Sequence, residues 1–254
     1  MDVKERSKDL PLLCIGGLNS TIAHDIVKRC LANWRIAGFL RDPASLDRSW
    51  RNEVVMRKAD AQDPEQVEQA IAGIENDAGE IDAYVLCVGS ILLKPWHLTK
   101  LEEFRQTVAT NLETAFHIGH SLIPRMIKRK RGTFVFITTV AAKKGIPSHE
   151  AIAAAKGGLQ SMIRSAAATY ASYGLRFNCI APGLVESAMS GRILGSEQGR
   201  AAAEKMHPMG KIGRPENIGS LAAWLISPEA DWVTGQTFSI DGGMSSIQSK
   251  VRAP

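Results

Sequence analysis

The sequence predicts an α/β fold in which a doubly wound parallel sheet lies between two layers of helices. Three observations support this prediction. Short apolar runs alternate with helical patterns, two adjacent glycines follow the first apolar run, and no linker, repeat or low-complexity stretch divides the 254 residues. Repeated strand–helix units favour a parallel sheet covered on both faces. We therefore expect one Rossmann-like domain over residues 11–254, preceded by a polar tail over residues 1–10.

Each element can be assigned in order from its pattern. The predicted strands contain the segments LPLLCIGG, IAGFL, AYVLCVG, GTFVFITT, RFNCIAPG and GQTFSIDGG. The predicted helices contain the segments IAHDIVKRCLA, PEQVEQAIAGI, LEEFRQTVATNLETAFHIGHSLIPRMI, EAIAAAKGGLQSMIRSAAATYA and ENIGSLAAWLIS. In such folds ligands bind beyond the carboxyl ends of the strands. We therefore expect the functional residues in the turns that follow strands.

The composition argues against several other classes of protein. The net charge of +5 comes from 31 basic and 26 acidic residues, and the densest basic run, Lys128 to Arg131, is typical of a helix end rather than of a nucleic-acid surface. No apolar run approaches the roughly 20 residues of a membrane span. We expect no signal peptide. The four cysteines form no CxxC pair, so we expect no metal site and a reducing, cytoplasmic location.

The order of motifs resembles the short-chain dehydrogenase/reductase family. The segments RFNCIAPGLVESAM and GRPENIGSLAAWLISPEADWVTGQTFSIDGG are similar to the closing half of that family, and the resemblance runs from about Pro11 to Met244. KADAQDPEQV places Asp60 where the family has an aspartate beside adenine, and ATNLETAF places Asn111 at its active-site asparagine. The resemblance implies a nicotinamide nucleotide, a small-molecule substrate, and a homo-oligomer, either a dimer or a tetramer.

The resemblance also implies which residues bind the nucleotide. The first turn, GGLNSTIA, keeps Gly17 but has Thr21 and Ala23 where the family has glycines, which would narrow the approach of a pyrophosphate. The segment TIA is similar to the SIA of enoyl-acyl-carrier-protein reductases, so backbone N–H groups and the Thr21 hydroxyl could still hold phosphate. Arg41 stands where NAD-binding members have an acidic residue, which favours NADP, although the adjacent Asp42 leaves NAD open. The implied cofactor-binding residues are Gly17, Asn19, Thr21, Ile22, Arg41, Asp60, Gly89, Lys156, Pro182, Gly183, Val185 and Ser187.

The catalytic set is where the chain departs from the family pattern. The family uses Asn, Ser, Tyr and Lys; aligned on Lys156, the serine position is Thr139 and the tyrosine position is Ile152. The usual NNAG segment is also altered to LCVG, in which only Gly89 matches. Lys156 could still bind the nicotinamide ribose, which needs no tyrosine. The implied catalytic residues are Asn111, Thr139, Lys156 and, as a replacement acid, His149.

His149 is that candidate because enoyl reductases place their tyrosine seven residues before the lysine, which is the position of His149 here. Seven residues is close to two helical turns, so His149 and Lys156 would share one face of a helix. Histidine titrates near neutral pH and is the commonest general acid–base group. The alternative is a surface histidine that follows a Ser148 N-cap.

Three functions stay open from the sequence. The first is an NADP-dependent oxidoreductase that reduces a carbonyl, an imine or an activated C=C bond with a degenerate catalytic set. The second is a nucleotide-binding regulatory or structural pseudoenzyme of the same fold, and the third is a non-redox lyase or dehalogenase. Residues 188–208 are expected to cover the substrate but do not name it. Lys143 and Lys144 either attract an acidic substrate or lie in a solvated loop.

Overall fold

The computed structural model describes residues 9–46, 48–50 and 52–248, so residues 1–8 of the predicted polar tail lie outside the described part. The sheet contains the strands β1 (Leu12–Gly16), β2 (Arg35–Leu40), β3 (Val54–Lys58), β4 (Ile81–Leu86), β5 (Gly132–Ile137), β6 (Leu175–Pro182) and β7 (Thr237–Ile240). They pair in parallel in the order β3-β2-β1-β4-β5-β6-β7. The strand order reverses beside β1, which is where doubly wound folds bind their ligands.

Helices cover both faces of this sheet. They are α1 (Thr21–Cys30), α2 (Pro64–Ala78), α3 (Leu101–Val108), α4 (Thr114–Arg129), α5 (Glu150–Tyr170), α6 (Gly191–Leu194), α7 (Glu197–Met206) and α8 (Pro215–Ile226). Helices α1 and α8 pack together on one face, while α2, α4 and α5 pack on the other. The α/β fold predicted from the sequence is confirmed.

Alternate side chains of each strand enter two separate cores. In β1, Leu12 and Cys14 pack under α2, α4 and α5, whereas Leu13 and Ile15 pack under α1 and α8. Each fully buried side chain of this size contributes about 1.5–3 kcal/mol of transfer free energy. Burial on both faces explains why the strands are continuous apolar runs rather than alternating ones.

The structure adds elements that the pattern did not predict. Strand β3 lies at the edge of the sheet and is mostly half-buried, so its sequence, VVMRK, carries two cations and lacks a long apolar run. The long helix predicted before β5 is interrupted by a π-helical segment, Ala109–Glu113, between α3 and α4. The short helices α6 and α7 lie within residues 188–208.

The basic run of residues 128–131 lies at the end of α4, as predicted. Lys128 and Arg129 occupy the last turn, and Lys130 ends the helix in the left-handed region with φ 53°. Arg129 pairs with Glu75 at 3.6 Å and with Glu80 at 3.4 Å. The run therefore stabilises a helix terminus. Across the described residues, no helix is long and apolar enough to cross a membrane.

Candidate active site

A cavity of about 1020 Å³ opens at the carboxyl ends of the strands. The turns after β1 to β6 line it, together with residues of α5, α6 and α7. Every residue assigned to the site from the sequence lies in its wall, so the structure brings the whole predicted set together. These residues are Gly17, Asn19, Thr21, Ile22, Arg41, Asp60, Gly89, Asn111, Thr139, His149, Lys156, Pro182, Gly183, Val185 and Ser187.

The turn after β1 has one position, Gly17, whose backbone conformation and surroundings favour glycine. Gly17 has φ +79°, and a Cβ added there would lie 3.0 Å from Val88 Cγ2, so a side chain is excluded. Ser20 caps α1 by accepting the Ala23 N–H at 3.1 Å, while the other first-turn N–H groups have no acceptor within the helix. Ala23 is fully buried in the core. The expectation that Ala23 narrows the turn is therefore wrong, because its methyl group packs under the helix.

Arg41 and Asp42 follow β2 at the rim of the cavity, and hydrogen bonds fix the loop that contains Asp42. Asp42 Oδ1 accepts the Ala44 N–H at 3.0 Å and caps a short 3₁₀ turn. Ser45 Oγ donates to the Asp42 carbonyl at 2.6 Å and accepts from Asn19 Nδ2 at 2.9 Å. The Asp42 carboxylate thus helps to shape its own loop, and Asn19 connects that loop to the turn after β1.

Asp60 follows β3 beside the same end of the cavity. Its Oδ1 accepts the Gln62 N–H at 3.0 Å, and its own N–H donates to Gln66 Oε1 at 3.1 Å. These bonds fix the loop between β3 and α2. The rigid loop holds the Asp60 carboxylate in the cavity wall.

Asn111 lies within the π-helical segment and is almost fully buried. Its Nδ2 donates to the Thr107 carbonyl at 3.0 Å and to Ser90 Oγ at 2.9 Å, and its Oδ1 accepts the Ser90 N–H at 3.1 Å. A π-helical turn displaces the carbonyls of the preceding turn, and such turns are frequent at functional sites. The side chain therefore braces the loop after β4 against the α3–α4 connection.

Lys156 is buried in the centre of the cavity wall, with 6% of its surface exposed, so it is not a solvated helix lysine. Its Nζ donates to the Ile137 carbonyl at 2.9 Å. A Cβ on Gly89 would lie 3.6 Å from this Nζ and 3.2 Å from Asn111 Oδ1, so the glycine leaves room beside both. Burial lowers the pKa of Lys156 from 10.5 to about 8. The amine is one of two buried polar groups on this face of α5, the other being Gln160.

Thr139 follows β5 and faces the cavity through a fixed turn. Its Oγ1 accepts the Ala141 N–H at 3.2 Å, which does not use the hydroxyl hydrogen. Behind it, Gln160 Nε2 donates to Thr138 Oγ1 at 3.0 Å and to the Thr139 carbonyl at 3.2 Å. Gln160 lies on α5 one turn beyond Lys156, so a buried side chain locks the turn to the lysine helix.

Ile152 and His149 occupy the turn and the cap that precede Lys156 on α5. Ile152 is 5% exposed and lines the cavity with an aliphatic side chain. His149 Nδ1 lies 2.8 Å from the Pro147 carbonyl, which can only accept, so the neutral ring carries its proton on Nδ1. The N-cap of α5 is His149, whereas Ser148 has φ 62°. The alternative that made Ser148 the N-cap is therefore wrong.

His207 is a buried cavity residue that the sequence reasoning missed. Its Nδ1 lies 2.7 Å from the Ala203 carbonyl, so Nδ1 carries the proton, and Nε2 accepts the Leu184 N–H at 3.2 Å. A Cβ on Gly183 would lie 2.7 Å from this Nε2. The imidazole thus joins the end of α7 to the loop after β6. A histidine before a proline carries no pattern that would have revealed this role.

Residues 188–208 contribute several residues to the cavity wall, and a serine pair fixes where this segment begins. Ser190 Oγ accepts the Ser187 N–H at 2.9 Å and donates to the Val185 carbonyl at 2.7 Å. Lys143 and Lys144 lie outside the cavity and donate to backbone carbonyls of the C-terminal segment. They belong to the surface loop rather than to an anion site.

The described residues include neither a cysteine with a lowered pKa nor a cluster of metal ligands. Cys87 lines the cavity, but burial raises its pKa to about 12, so it is a neutral thiol at physiological pH. Cys14, Cys30 and Cys179 are buried. Within the described ranges, no three His, Cys, Asp or Glu side chains form a group that could hold a metal ion.

Comparison with known proteins shows which family the chain is related to. A family model described as enoyl-(acyl carrier protein) reductase matches residues 27–245. The chain is 35% identical over 195 residues to a Xanthobacter autotrophicus protein named inactive 2-(S)-hydroxypropyl-CoM dehydrogenase 2, covering 74% of this chain and 84% of that one. It belongs to the short-chain dehydrogenase/reductase family. Reductases are among its relatives: the 3-oxoacyl-(acyl-carrier-protein) reductase FabG of Vibrio cholerae is 33% identical over 184 residues, 72% of this chain and 75% of that one.

Solved structures agree with the sheet order and helix layers described above. An actinorhodin polyketide ketoreductase variant solved with NADPH superposes with a TM-score of 0.90 at 22% identity, covering 95% of this chain and 99% of that one. A levodione reductase superposes with a TM-score of 0.87 at 26% identity over 94% and 98% of the two chains. The short-chain dehydrogenase/reductase fold thus extends over nearly the whole chain, including the elements that line the cavity.

Proposed function

We propose that this short-chain dehydrogenase/reductase binds a nicotinamide nucleotide, with NADP preferred, and transfers hydride with a catalytic set that lacks the tyrosine. The observation that carries the proposal is Lys156. A buried amine at the centre of the cavity has a desolvation penalty, and such perturbed groups in a cleft are candidates for function. Its surroundings, Gly89 and Asn111, are those that the family resemblance assigns to the site.

The cavity wall fits a dinucleotide phosphate. The turn after β1 lies so close to the segment after β4 that a Cβ on Gly17 would contact Val88. The N-terminus of α1 directs its free N–H groups and the positive end of the helix dipole toward this turn. Thr21 adds a hydroxyl at the first helical position. Asp60 lines the same end of the cavity, which supports the adenine contact that the family resemblance implies. A bound nicotinamide nucleotide would supply the hydride.

Arg41 supports the preference for NADP. It is an exposed cation at the rim, where a 2′-phosphate would lie, and its neighbour Asp42 has an oxygen occupied by the Ala44 N–H. An arginine guanidinium binds phosphate oxygens in a bidentate manner. The actinorhodin ketoreductase neighbour was solved with NADPH, which is consistent with this preference.

The aliphatic side chain of Ile152 sets the chemistry that the site can support. General acid catalysis is worth ~10²–10⁴-fold, or roughly 3–5 kcal/mol of barrier, and an isoleucine cannot donate a proton. The neutral form of His149 holds its proton toward Pro147, so Nε2 would have to be protonated before it could act as an acid. We therefore place Thr139 and Lys156 as the groups beside the developing charge, with activated acceptors favoured over plain ketones.

A pseudoenzyme that binds nucleotide without redox activity is the second candidate. Ile152 in the wall favours it, as does the relative in Xanthobacter autotrophicus whose name includes the word inactive. The two candidates share nucleotide binding and differ in turnover. Nucleotide binding is therefore the property to establish first, and turnover then separates them.

The experiment is a titration of the purified protein with NADPH and with NADH, followed by fluorescence or calorimetry. We expect tighter binding of NADPH, and Arg41→Asp should reverse the preference, since it replaces a phosphate-binding cation with a carboxylate that suits a ribose hydroxyl. Arg214→Asp makes the same change of charge on an exposed residue outside the cavity and should leave the preference unaltered. Equal affinities for the two nucleotides, or binding of neither below millimolar concentration, would overturn the proposal.

A further inference from the structure

We infer that the substrate is an uncharged, apolar conjugated carbonyl compound, such as an enone or a quinone, rather than a cationic iminium ion or an acid. This inference rests on the proposed function, since it concerns the part of the same cavity that lies beyond the nucleotide. Three features carry it: the apolar face of the segment over residues 188–208, which we name the cover segment, the apolar side chains in the rest of the cavity wall, and the position of the charges.

Helix α7 of the cover segment is amphipathic with respect to the cavity. Its cavity-lining residues have the spacing i, i+3, i+4, i+7, which places them on one helical face. These residues are Gly199, Ala202, Ala203 and Met206. The charged residues of α6 and α7 stay out of the cavity wall. They are Arg192, Glu197, Arg200, Glu204 and Lys205.

Other parts of the cavity wall also contribute apolar side chains. These parts are the loop after β4, the loop before α5, α5 itself and the C-terminal segment. Their aliphatic and thioether side chains are Ile91, Leu93, Ile146, Ile152 and Met244. Ile152 is therefore one of several apolar side chains that line the cavity.

Water covers much of this apolar surface in the protein alone. The side chains of Ile91, Leu93, Met189 and Met206 line the cavity and are each 42–48% exposed. Transfer of such surface out of water is favourable and roughly proportional to the area removed. A large apolar ligand would gain this burial, whereas a charged group placed against these apolar side chains, away from Lys156, would lose its hydration without an oppositely charged partner.

The charged side chains of the cavity lie elsewhere. Among the described residues of its wall, Arg41, Asp42 and Asp60 follow β2 and β3 at the nucleotide end, and Lys156 is the remaining one. A cationic iminium ion would meet an amine and no carboxylate at the reaction centre. A neutral conjugated carbonyl acquires negative charge on its oxygen as it is reduced, which an adjacent ammonium group stabilises.

The reaction balances with the nicotinamide nucleotide as the two-electron reductant. Hydride adds to the β carbon of the enone, and the C=C electron pair moves through the carbonyl group onto oxygen. The resulting enolate takes one proton from water at its α carbon, which gives the saturated ketone and the oxidised nucleotide. This stepwise order needs no protein acid at the oxygen, in keeping with Ile152 at that place.

The test uses three matched probes: 4-phenylbut-3-en-2-one and its para-carboxylate and para-trimethylammonium derivatives. Binding is measured by calorimetry with the full chain saturated with NADP⁺, so that no turnover occurs. We expect the neutral enone to bind at least about tenfold more tightly than either charged probe, a difference of about 1.4 kcal/mol. Equal binding of a charged probe, or no binding of the neutral one to the nucleotide-loaded protein, would overturn the inference.

Two adjacent alanines of α7 supply a matched pair of variants. Both are exposed, but Ala202 lines the cavity, whereas Ala201 lies outside it. Ala202→Asp should weaken binding of the neutral enone and improve binding of the trimethylammonium probe, while Ala201→Asp should leave both unchanged. If both variants behave alike, α7 does not face the substrate. Failure of NADP⁺ to bind the wild type would instead refute the proposed function, so the two failures are distinguishable.

Discussion

Replacing Lys156 with methionine should stabilise the protein at neutral pH. The side chain is buried, and its pKa falls from 10.5 to about 8, which corresponds to about 3 kcal/mol of unfavourable free energy in the charged form. Methionine fills a similar volume without a charge. Loss of the hydrogen bond to the Ile137 carbonyl removes about 1 kcal/mol, so we expect a net gain of about 2 kcal/mol.

The gain in stability should depend on pH in a defined direction. Below pH 8 the amine is protonated in both the folded and the unfolded wild type, and the full penalty is present. Between pH 8 and 10.5 the unfolded state binds more protons than the folded state, so the stability of the wild type rises with pH. The advantage of Lys156→Met should therefore be largest near pH 7 and should shrink as the pH approaches 10.5.

Denaturant or thermal unfolding of both proteins at several pH values measures this difference. A gain of about 2 kcal/mol corresponds to a rise in Tm of roughly 4–8 °C for a chain of this length. Lys128→Met, at an exposed lysine of α4, is the control and should change stability by less than about 0.5 kcal/mol. If Lys156→Met is less stable than the wild type at pH 7, or if its advantage does not vary with pH, the account of this lysine is incorrect.

Three other substitutions test other parts of the molecule. Ile152→Tyr restores a proton donor on the correct helical face, so assays should show faster reduction of plain ketones and little change for conjugated acceptors. Unchanged ketone rates would contradict the increase in the reaction barrier that we attribute to Ile152. Light scattering should show a tetramer, and a monomeric wild type would refute this. Phe116 is a 59% exposed aromatic residue of α4, so Phe116→Glu should reduce the molecular mass of the assembly, whereas Tyr173→Glu should leave it unchanged. Gly183→Ala should destabilise the fold by about 1–3 kcal/mol, because the added methyl group would lie 2.7 Å from the His207 Nε2 atom. Gly145→Ala, whose methyl group would enter open space, should be neutral, and a larger loss of unfolding free energy for Gly145→Ala than for Gly183→Ala would contradict this packing.

The sequence predicts the layers and much of the site because both depend on local pattern. Strands such as β1 are buried on both faces and therefore read as apolar runs, and the turns that follow them meet at one edge of the sheet. Gly17 could be assigned from its turn, and Lys156 from the family resemblance. The structure adds that the lysine is buried, which spacing alone does not determine.

The parts that could not be predicted depend on contacts between distant segments. At the π-helical segment, the Asn111 side chain binds both the loop after β4 and the preceding turn, which lie apart in the sequence. His207 gains its role from Leu184, 23 residues away in the chain. The cover segment mixes charged and small residues along the sequence, and only the helical arrangement of α7 separates them into a solvent face and a cavity face.

Transfer of a labelled hydride tests most directly whether redox chemistry persists without the tyrosine. The wild-type protein is incubated with NADPH deuterated at C4 of the nicotinamide and with 4-phenylbut-3-en-2-one, and the product is analysed by mass spectrometry and NMR. We predict a saturated ketone that carries one deuterium at its β carbon and that does not form without protein. Binding of NADPH with no deuterated product and no nucleotide oxidation would contradict this account and would identify the chain as a nucleotide-binding pseudoenzyme.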